Sequence, residues 1–515
     1  MKREPLGSIL VATAFVVLLS AVFSQPQGEG VILTPPAPHA PRINGPKVYG
    51  VRPGSPFLYR IPATGERPMK FVAKDLPRGL SLDAATGIIA GTIADRTPKA
   101  YAVTLLAENS RGRGKREFRI VVGQTLSLTP QMGWNDWYTH YNRVTDATMR
   151  QAADLMISSG MADYGYQFVN IDDCWMNAAN GKDPRRNGPV RDDAGNIRPN
   201  SYFPDMKALA DYIHSKGLKA GLYTSPGPTT CAGFAASYQH EEQDARQFAA
   251  WGFDFLKYDW CSYKNVAGGE DLASLQKPYR LMGAILRGLD RDIVFNLCQY
   301  GMGEVWKWGA EVGGNSWRTT GDLGLEKSTH LPGFYNIGLS NAQHWEYAGP
   351  GHWNDPDYIL IGFYGSARGM GEAQRAKLTS DECYSYVSMW SLMAAPLFFS
   401  GDMARLDTFT VNVLCNSEVI GVDQDVLGRQ GRVVRQTADE FILAKPLEGG
   451  SAAVGLFNLS ETPREMKITW ADLDFQGVCR VRDLWRQKDV GTMRTHYSTR
   501  IPTHGVSMMQ ITPQR

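Results

Sequence analysis

An excess of charge of one sign is missing from these 515 residues: 54 Lys and Arg oppose 52 Asp and Glu, a formal net charge of +2. That balance gives no electrostatic reason to expect nucleic acid or an anionic membrane as partner. Paired cysteine motifs are missing too. The seven cysteines are scattered and none stands in CxxC spacing, which argues against a zinc site and a disulfide-rich scaffold. No metal and no cofactor is expected, and the odd count leaves at least one cysteine unpaired within the chain. A comfortable membrane span is also wanting: the apolar run from about Leu6 to Leu19 is shorter than the roughly 20 residues that cross a bilayer. With Lys2 and Arg3 before it and small residues near Ser24 after it, 1–24 reads as a secretory signal. No cysteine near the cleavage point supports a lipid anchor. The expected destination is therefore export (periplasmic, cell-surface or secreted), with no membrane insertion of the mature chain.

What is present allows a large core. Hydrophobic residues make up 43% of the chain and aromatics 11%, and the length suggests two to four domains. Thirteen Trp and 22 Tyr would suit a sugar-binding site, where rings serve as flat apolar platforms, although packing must account for most of them. Residues 25–46 are rich in Pro and Gly without periodicity and read as a tether. From 47 to 123 the pattern alternates as strands do, around Leu76-Pro-Arg-Gly-Leu-Ser-Leu-Asp-Ala-Ala-Thr-Gly-Ile-Ile-Ala-Gly-Thr92. That stretch resembles the signature of Ig-like modules of exported bacterial proteins. It implies a β-sandwich, read here as a spacer or attachment module.

From 126 to 428 apolar strand-like runs alternate with helical segments, eight times in all. Residues 166–173, 219–225, 255–261, 293–299, 315–322 and 352–357 are such runs, and several end in charge. Three helical segments, 145–159, 205–216 and 241–251, each precede a glycine and then a strand, the sign of a helix stop. Parallel strands with crossover helices predict a (β/α)8 barrel, whose catalytic groups stand at the C-terminal strand ends. After 429 the helical pattern disappears and short strands at sandwich-like spacing predict a C-terminal antiparallel β-sandwich to residue 515. The expected fold class is therefore multidomain.

Residues 255–261 (FLKYDWC) are the most informative. Asp259 ends an apolar aromatic strand, where it reads either as a catalytic carboxylate or as the cap of a following helix. Asp322 could face it across a barrel mouth, and glycoside hydrolysis requires such a carboxyl pair. Lys257 lies on the same side of the strand as Asp259 and would favour its ionised form. The residues alone leave other pairings open, since Asp172, Asp173 and Asp357 also qualify.

Residues 128–428 resemble the α-galactosidases and α-N-acetylgalactosaminidases of glycoside hydrolase family 27. The motifs are 129–137 (TPQMGWNDW), 169–175 (VNIDDCW), 255–261, 317–322 (WRTTGD), 348–357 (AGPGHWNDPD), 393–397 (MAAPL) and 423–428 (DQDVLG). The resemblance implies a retaining double displacement on a terminal α-galactoside, with Asp259 as nucleophile and Asp322 as acid/base. Asp172 and Asp173 would accept hydrogen bonds from the 4- and 6-hydroxyls, and Trp137 would supply an apolar wall. Tyr223, Lys257, Arg318 and Asp357 would complete the pocket. It also implies a Cys231–Cys261 disulfide, while Cys174 and Cys298 lack their usual partners and should be buried and free.

The positions matching the family's residues at the sugar's 2-substituent are Gln299 and Met302. Both are large, which favours galactose over N-acetylgalactosamine. Three rivals are an α-N-acetylgalactosaminidase, a β-L-arabinopyranosidase and a non-enzymatic carbohydrate-binding protein. The paired aspartates weigh against the second, and retention of both catalytic carboxylates weighs against the third. A homo-oligomer is compatible with the sequence.

Overall fold

The computed structural model describes residues 30–324, 329–365 and 372–514, so the expected signal over 1–24 lies outside the described residues. At its centre stand eight short parallel strands: β1 (Met132–Asn135), β2 (Phe168–Asn170), β3 (Lys219–Thr224), β4 (Phe255–Asp259), β5 (Val294–Cys298), β6 (Ser316–Arg318), β7 (Trp353–Asp355) and β8 (Leu397–Phe399). Sequence neighbours are sheet neighbours, and β8 returns to pair with β1. A bridge between Ile359 and Phe399 joins the seventh and eighth staves. This is the predicted (β/α)8 barrel. Every residue of β1, β3, β4 and β5 is buried, which is why these strands read as continuous apolar runs rather than as alternation.

Local chemistry sets the crossover helices. Asp205 caps the helix Met206–Ser215 by accepting from Ala208 N at 2.9 Å. Met206, Leu209 and Ile213 are buried along one face, and Gly217, at φ +74°, turns the chain into β3. Gly252 does the same after Glu241–Trp251, at φ +96°. One crossover differs from the expected alternation. Between β5 and β6 only the short 3-10 turn Val305–Lys307 forms, because residues 301–314 contain five glycines and cannot sustain a helix.

The N-terminal module is a sandwich of a four-stranded and a three-stranded sheet around its own core, which includes Phe57, Phe71, Val103 and Phe118. Its signature motif is built on turns. Asp83 accepts from Ala85 N and Thr86 N, and a side chain on Gly79 or Gly91 would strike a backbone oxygen at 2.1 or 2.2 Å. The C-terminal module has a six-stranded antiparallel sheet and a two-stranded ribbon. Between it and the barrel lies the helix Ser380–Leu392, of which 11 residues are buried. Its polar groups are answered from the C-terminal module: Glu382 meets His504 Nδ1 at 2.9 Å, and Trp485 Nε1 donates to Ser388 Oγ at 2.8 Å.

The expectation of a tether over 25–46 requires correction where that segment is described. Residues 31–34 lie along the barrel wall, and Arg42–Ile43 pair antiparallel with Ala63–Thr64 of the sandwich. Leu33 N donates to Tyr384 OH at 3.0 Å, Thr34 N to Asn412 Oδ1 at 3.2 Å, and Asn412 Nδ2 to Thr34 O at 2.8 Å. Prolines prevent a helix but leave an extended backbone whose free groups find partners on neighbouring helices. The sandwich then meets the floor of the barrel, at the N-terminal strand ends. Arg52 enters the end of the helix Leu272–Arg287. It donates to Arg287 O at 2.8 Å, Leu289 O at 3.0 Å and Asp292 Oδ1 at 2.7 Å.

Candidate active site

The C-terminal strand ends converge on a cavity of about 570 Å³. Four carboxylates line it, Asp172, Asp259, Asp322 and Asp357, against two cations, Lys257 and Arg318. Trp137, Tyr138, Tyr141, Tyr223, Tyr300, Tyr358 and Tyr364 supply its rings.

Asp259 is the last residue of β4 and is 5% exposed. Each of its oxygens accepts one phenol: Tyr223 OH reaches Oδ2 at 3.1 Å and Tyr300 OH reaches Oδ1 at 2.6 Å. Burial pushes its carboxyl up to about 6, against the opposing pull of the Lys257 charge and the Tyr300 hydrogen bond. The Lys257 ammonium is bound to Asp172 Oδ2 at 2.8 Å. Burial works against that ammonium, but Asp172, Tyr358 and Asp259 outweigh it, and its pKa ends well above the ordinary lysine value. Asp172 Oδ2 also accepts from Asn135 Nδ2 at 3.0 Å and Tyr358 OH at 3.1 Å. Beneath it Asp136 accepts from Asp172 N at 2.6 Å. Burial, then the charge of Asp172, raises the Asp136 carboxyl well above the carboxylate range.

On the opposite side Arg318 ends β6 and pairs with Asp357 Oδ2 at 2.9 Å and with Asp322 Oδ1 at 3.4 Å. Asp322 lies beyond the strand, with its side chain 54% exposed, so one carboxyl of the facing pair is buried and the other opens to solvent. Trp317, the neighbour of Arg318, is buried in the barrel shell, where its indole N–H donates to Asn354 Oδ1 at 2.7 Å. Cys231 and Cys261 form a disulfide, with Tyr223 OH 3.1 Å from Cys261 Sγ. The two sulfurs and Asp259 cluster within 4.8 Å, but sulfurs bonded to each other hold no metal there. The other five cysteines, Cys174 and Cys298 among them, are buried and free.

Three sequence expectations are not met. Asp173 does not reach the cavity: its Oδ1 accepts from Cys174 N at 2.7 Å and its Oδ2 from Ala232 N at 2.9 Å. Burial raises this inward-turned acid to about 7. Neither Gln299 nor Met302 lines the cavity; Gln299 Nε2 instead donates to Met302 O at 2.8 Å. The reason is the intervening residue. Tyr300 takes a left-handed backbone, φ +63°, which carries its ring over Asp259 and turns its neighbours away. Tyr300 and Tyr358 are the functional residues that sequence reasoning missed, although both adjoin motifs, Tyr300 after Cys298-Gln299 and Tyr358 after Asp357. Tyr141, Cys174, Cys261, Tyr300 and Asp357, which follow the ends of β1, β2, β4, β5 and β7, all have φ between +35° and +85°. Such conformations cost free energy and concentrate at functional rims.

Comparison with known proteins agrees in extent with this architecture. Residues 129–425 match the family model described as alpha galactosidase A, 439–511 that of the alpha galactosidase C-terminal beta sandwich domain, and 40–123 that of an Ig domain. The alpha-galactosidase of Cyamopsis tetragonoloba is 37% identical over 401 residues, covering 77% of this chain and 89% of that protein. A crystal structure of a candidate alpha-galactosidase/melibiase from Bacteroides fragilis superposes with a TM-score of 0.83 at 37% identity, covering 92% of this chain and 97% of that one. For alpha-galactosidase I of Mortierella vinacea the values are 0.67, 29%, 76% and 100%.

Proposed function

The chain belongs to the alpha-galactosidase family of glycoside hydrolases, and from that premise we propose that it is a retaining, exo-acting α-galactosidase using Asp259 as nucleophile and Asp322 as acid/base. The observation that carries this reading is the asymmetry of the two carboxyls. Asp259 is buried, oriented by a phenol on each oxygen and faced by the Lys257 charge. Asp322 stands at the open side, where a leaving group departs.

In the first step an Asp259 oxygen attacks the anomeric carbon while Asp322 gives its proton to the departing glycosidic oxygen. This forms a β-linked galactosyl ester on Asp259. In the second step Asp322 takes a proton from water, which attacks the same carbon, frees Asp259 and returns α-galactose. Two inversions give net retention. Both transition states gather positive charge on the sugar ring, and the aspartates that line the cavity supply the complementary field. Asp172, held between Lys257, Asn135 and Tyr358, and Asp357, held by Arg318, are the acceptors for ring hydroxyls. With Gln299 and Met302 turned away, discrimination against a 2-acetamido group falls to the Tyr300 ring.

The natural substrate class is a terminal α-galactosyl residue on an oligosaccharide, galactomannan or glycoconjugate. The disulfide and the N-terminal signal pattern together support an exported enzyme, and no helix among the described residues is long and apolar enough to cross a membrane.

The test is hydrolysis of p-nitrophenyl α-galactoside followed by proton NMR: the first product is α-galactose, and an initial β-anomer rejects the mechanism. Asp322→Ala loses far more activity on melibiose than on activated aryl galactosides, and azide restores the latter by attacking the galactosyl ester. Equal losses on both substrates would assign Asp322 a structural role only.

A further inference from the structure

The strand β2 ends at Asn170, and the chain just beyond it carries Asp172, one of the carboxylates of the catalytic cavity. There the sheet stops fixing the backbone. Ile171 N still bonds across to Gly221 O of β3 at 3.0 Å, but Asp172 N has left the ladder. Its partner comes from the other side, from Asp136 Oδ1 at 2.6 Å, one residue past the end of β1. The next two amides, of Asp173 and Cys174, bond to the carboxylates of the residues just before them, in local turns that do not reach the sheet. Asp136 is thus the group that fastens the Asp172 peptide to the barrel frame.

An aspartate in this place would ordinarily cap the helix that follows it. Asp136 precedes Trp137–His140, yet its side chain makes no cap bond. It is wholly buried, and its Oδ2 meets no donor among the described residues. A buried polar group with an unanswered oxygen is costly to keep, and the helix does not account for it. The bond to Asp172 does.

What that bond holds can be named to the atom. Asp172 Oδ2 accepts from Asn135 Nδ2, Lys257 Nζ and Tyr358 OH, at 3.0, 2.8 and 3.1 Å. A carboxylate oxygen has about two lone pairs, so these donors leave it no room for another. Oδ1 accepts from Asp173 N at 3.0 Å and keeps one direction open. Asn135 and Asp136, adjacent residues, therefore grip Asp172 by its side chain and by its backbone. Accepting the proposed reaction, we infer that Asp136 is a positioning residue for sugar recognition: by holding the Asp172 amide it presents Asp172 Oδ1 to one hydroxyl of the terminal galactosyl unit. Asp136 itself does not line the cavity.

The test compares Asp136→Ala, which deletes the acceptor, with Asp136→Asn, which keeps it. Burial raises the Asp136 carboxyl well above the carboxylate range, so asparagine matches the neutral acid in shape and charge. Dissociation constants for galactose, 4-deoxygalactose and 6-deoxygalactose are measured by NMR titration, alongside kcat and KM on p-nitrophenyl α-galactoside. Asp136→Ala should raise KM and the galactose dissociation constant roughly tenfold, the size of one lost hydrogen bond, with a much smaller change in kcat. One of the two deoxy sugars, lacking the hydroxyl that Asp172 Oδ1 receives, should bind the variant almost as well as the unmutated enzyme. Asp136→Asn should recover most of the affinity for galactose. Equal weakening of all three sugars would mark a merely structural role, since a distorted site loses every contact. No weakening, or the same loss in both variants, would also overturn the inference. An unmutated enzyme inert on the aryl galactoside would reject the proposed reaction instead, and the binding constants would still decide the role of Asp136.

Discussion

Asp259 works against the stability of the fold that holds it. Its native carboxyl titrates near 6 because burial disfavours the charge, whereas an unfolded aspartate titrates near 3.9. Between those values the native state keeps a proton that the unfolded state has released, so stability falls as pH rises through this window. Above about pH 6 the full penalty of roughly 3 kcal/mol applies. Asp259→Asn should therefore abolish turnover yet raise the melting temperature at pH 7, with the gain vanishing near pH 4. A lower melting temperature at pH 7 would show that the carboxylate is net stabilising. Tyr300→Phe removes the 2.6 Å phenol hydrogen bond to the same carboxylate. Hydrogen bonds to charged groups are worth roughly 1.5–3 kcal/mol, so the acid limb of the kcat/KM profile should move up by about one pH unit. Reading the sequence succeeded where direction is fixed by a strand end: Asp259, Lys257 and Arg318 all lie on β4 or β6, and alternation decides which side they face. It failed at Asp173 and around Gln299, because both positions lie past their strands. There loop hydrogen bonds and a left-handed tyrosine decide orientation, and no periodicity records them.

At the scale of elements, the mouth is shaped by loops rather than by staves. The loop after β3 is joined to the end of β4 through Cys231–Cys261, across 30 residues. A crosslink closing a loop of that length stabilises by roughly 3–4 kcal/mol on chain-entropy grounds. Tyr223 OH touches both Cys261 Sγ and Asp259 Oδ2, so the link also supports the orientation of the Asp259 carboxylate. Cys231→Ser with Cys261→Ser should lower the melting temperature and reduce kcat, while single-site fluorescence of the C-terminal module stays unchanged. Full activity after reduction would show that the loop holds its place without the bond. The barrel helices were legible because caps and glycine stops are local signals. The missing β5–β6 helix is equally local in cause, a glycine-rich stretch that alternation alone does not reveal.

At the scale of the molecule, the three modules share buried contacts and should unfold as one. Arg52 is 8% exposed and joins the N-terminal sandwich to the barrel floor through Asp292 and carbonyls at the end of the helix Leu272–Arg287. Removing one partner of a buried pair costs roughly 3–5 kcal/mol, so Arg52→Ala should lower the melting temperature markedly. Calorimetry should still show a single transition, and a separate early transition of the sandwich would argue for a loosely attached module. Module classes were readable from sequence, but their docking was not: contacts such as Arg52 with Asp292 span 240 residues and leave no local pattern. The strap at residues 30–34 takes this further. Thr34 is answered by Asn412, 378 positions later, and a chain grows at about 5–20 residues per second. Thr34 therefore waits roughly 20–75 s for its partner to be synthesised. Residues 30–34 are thus among the last to lock, held by a stretch of chain made long after them.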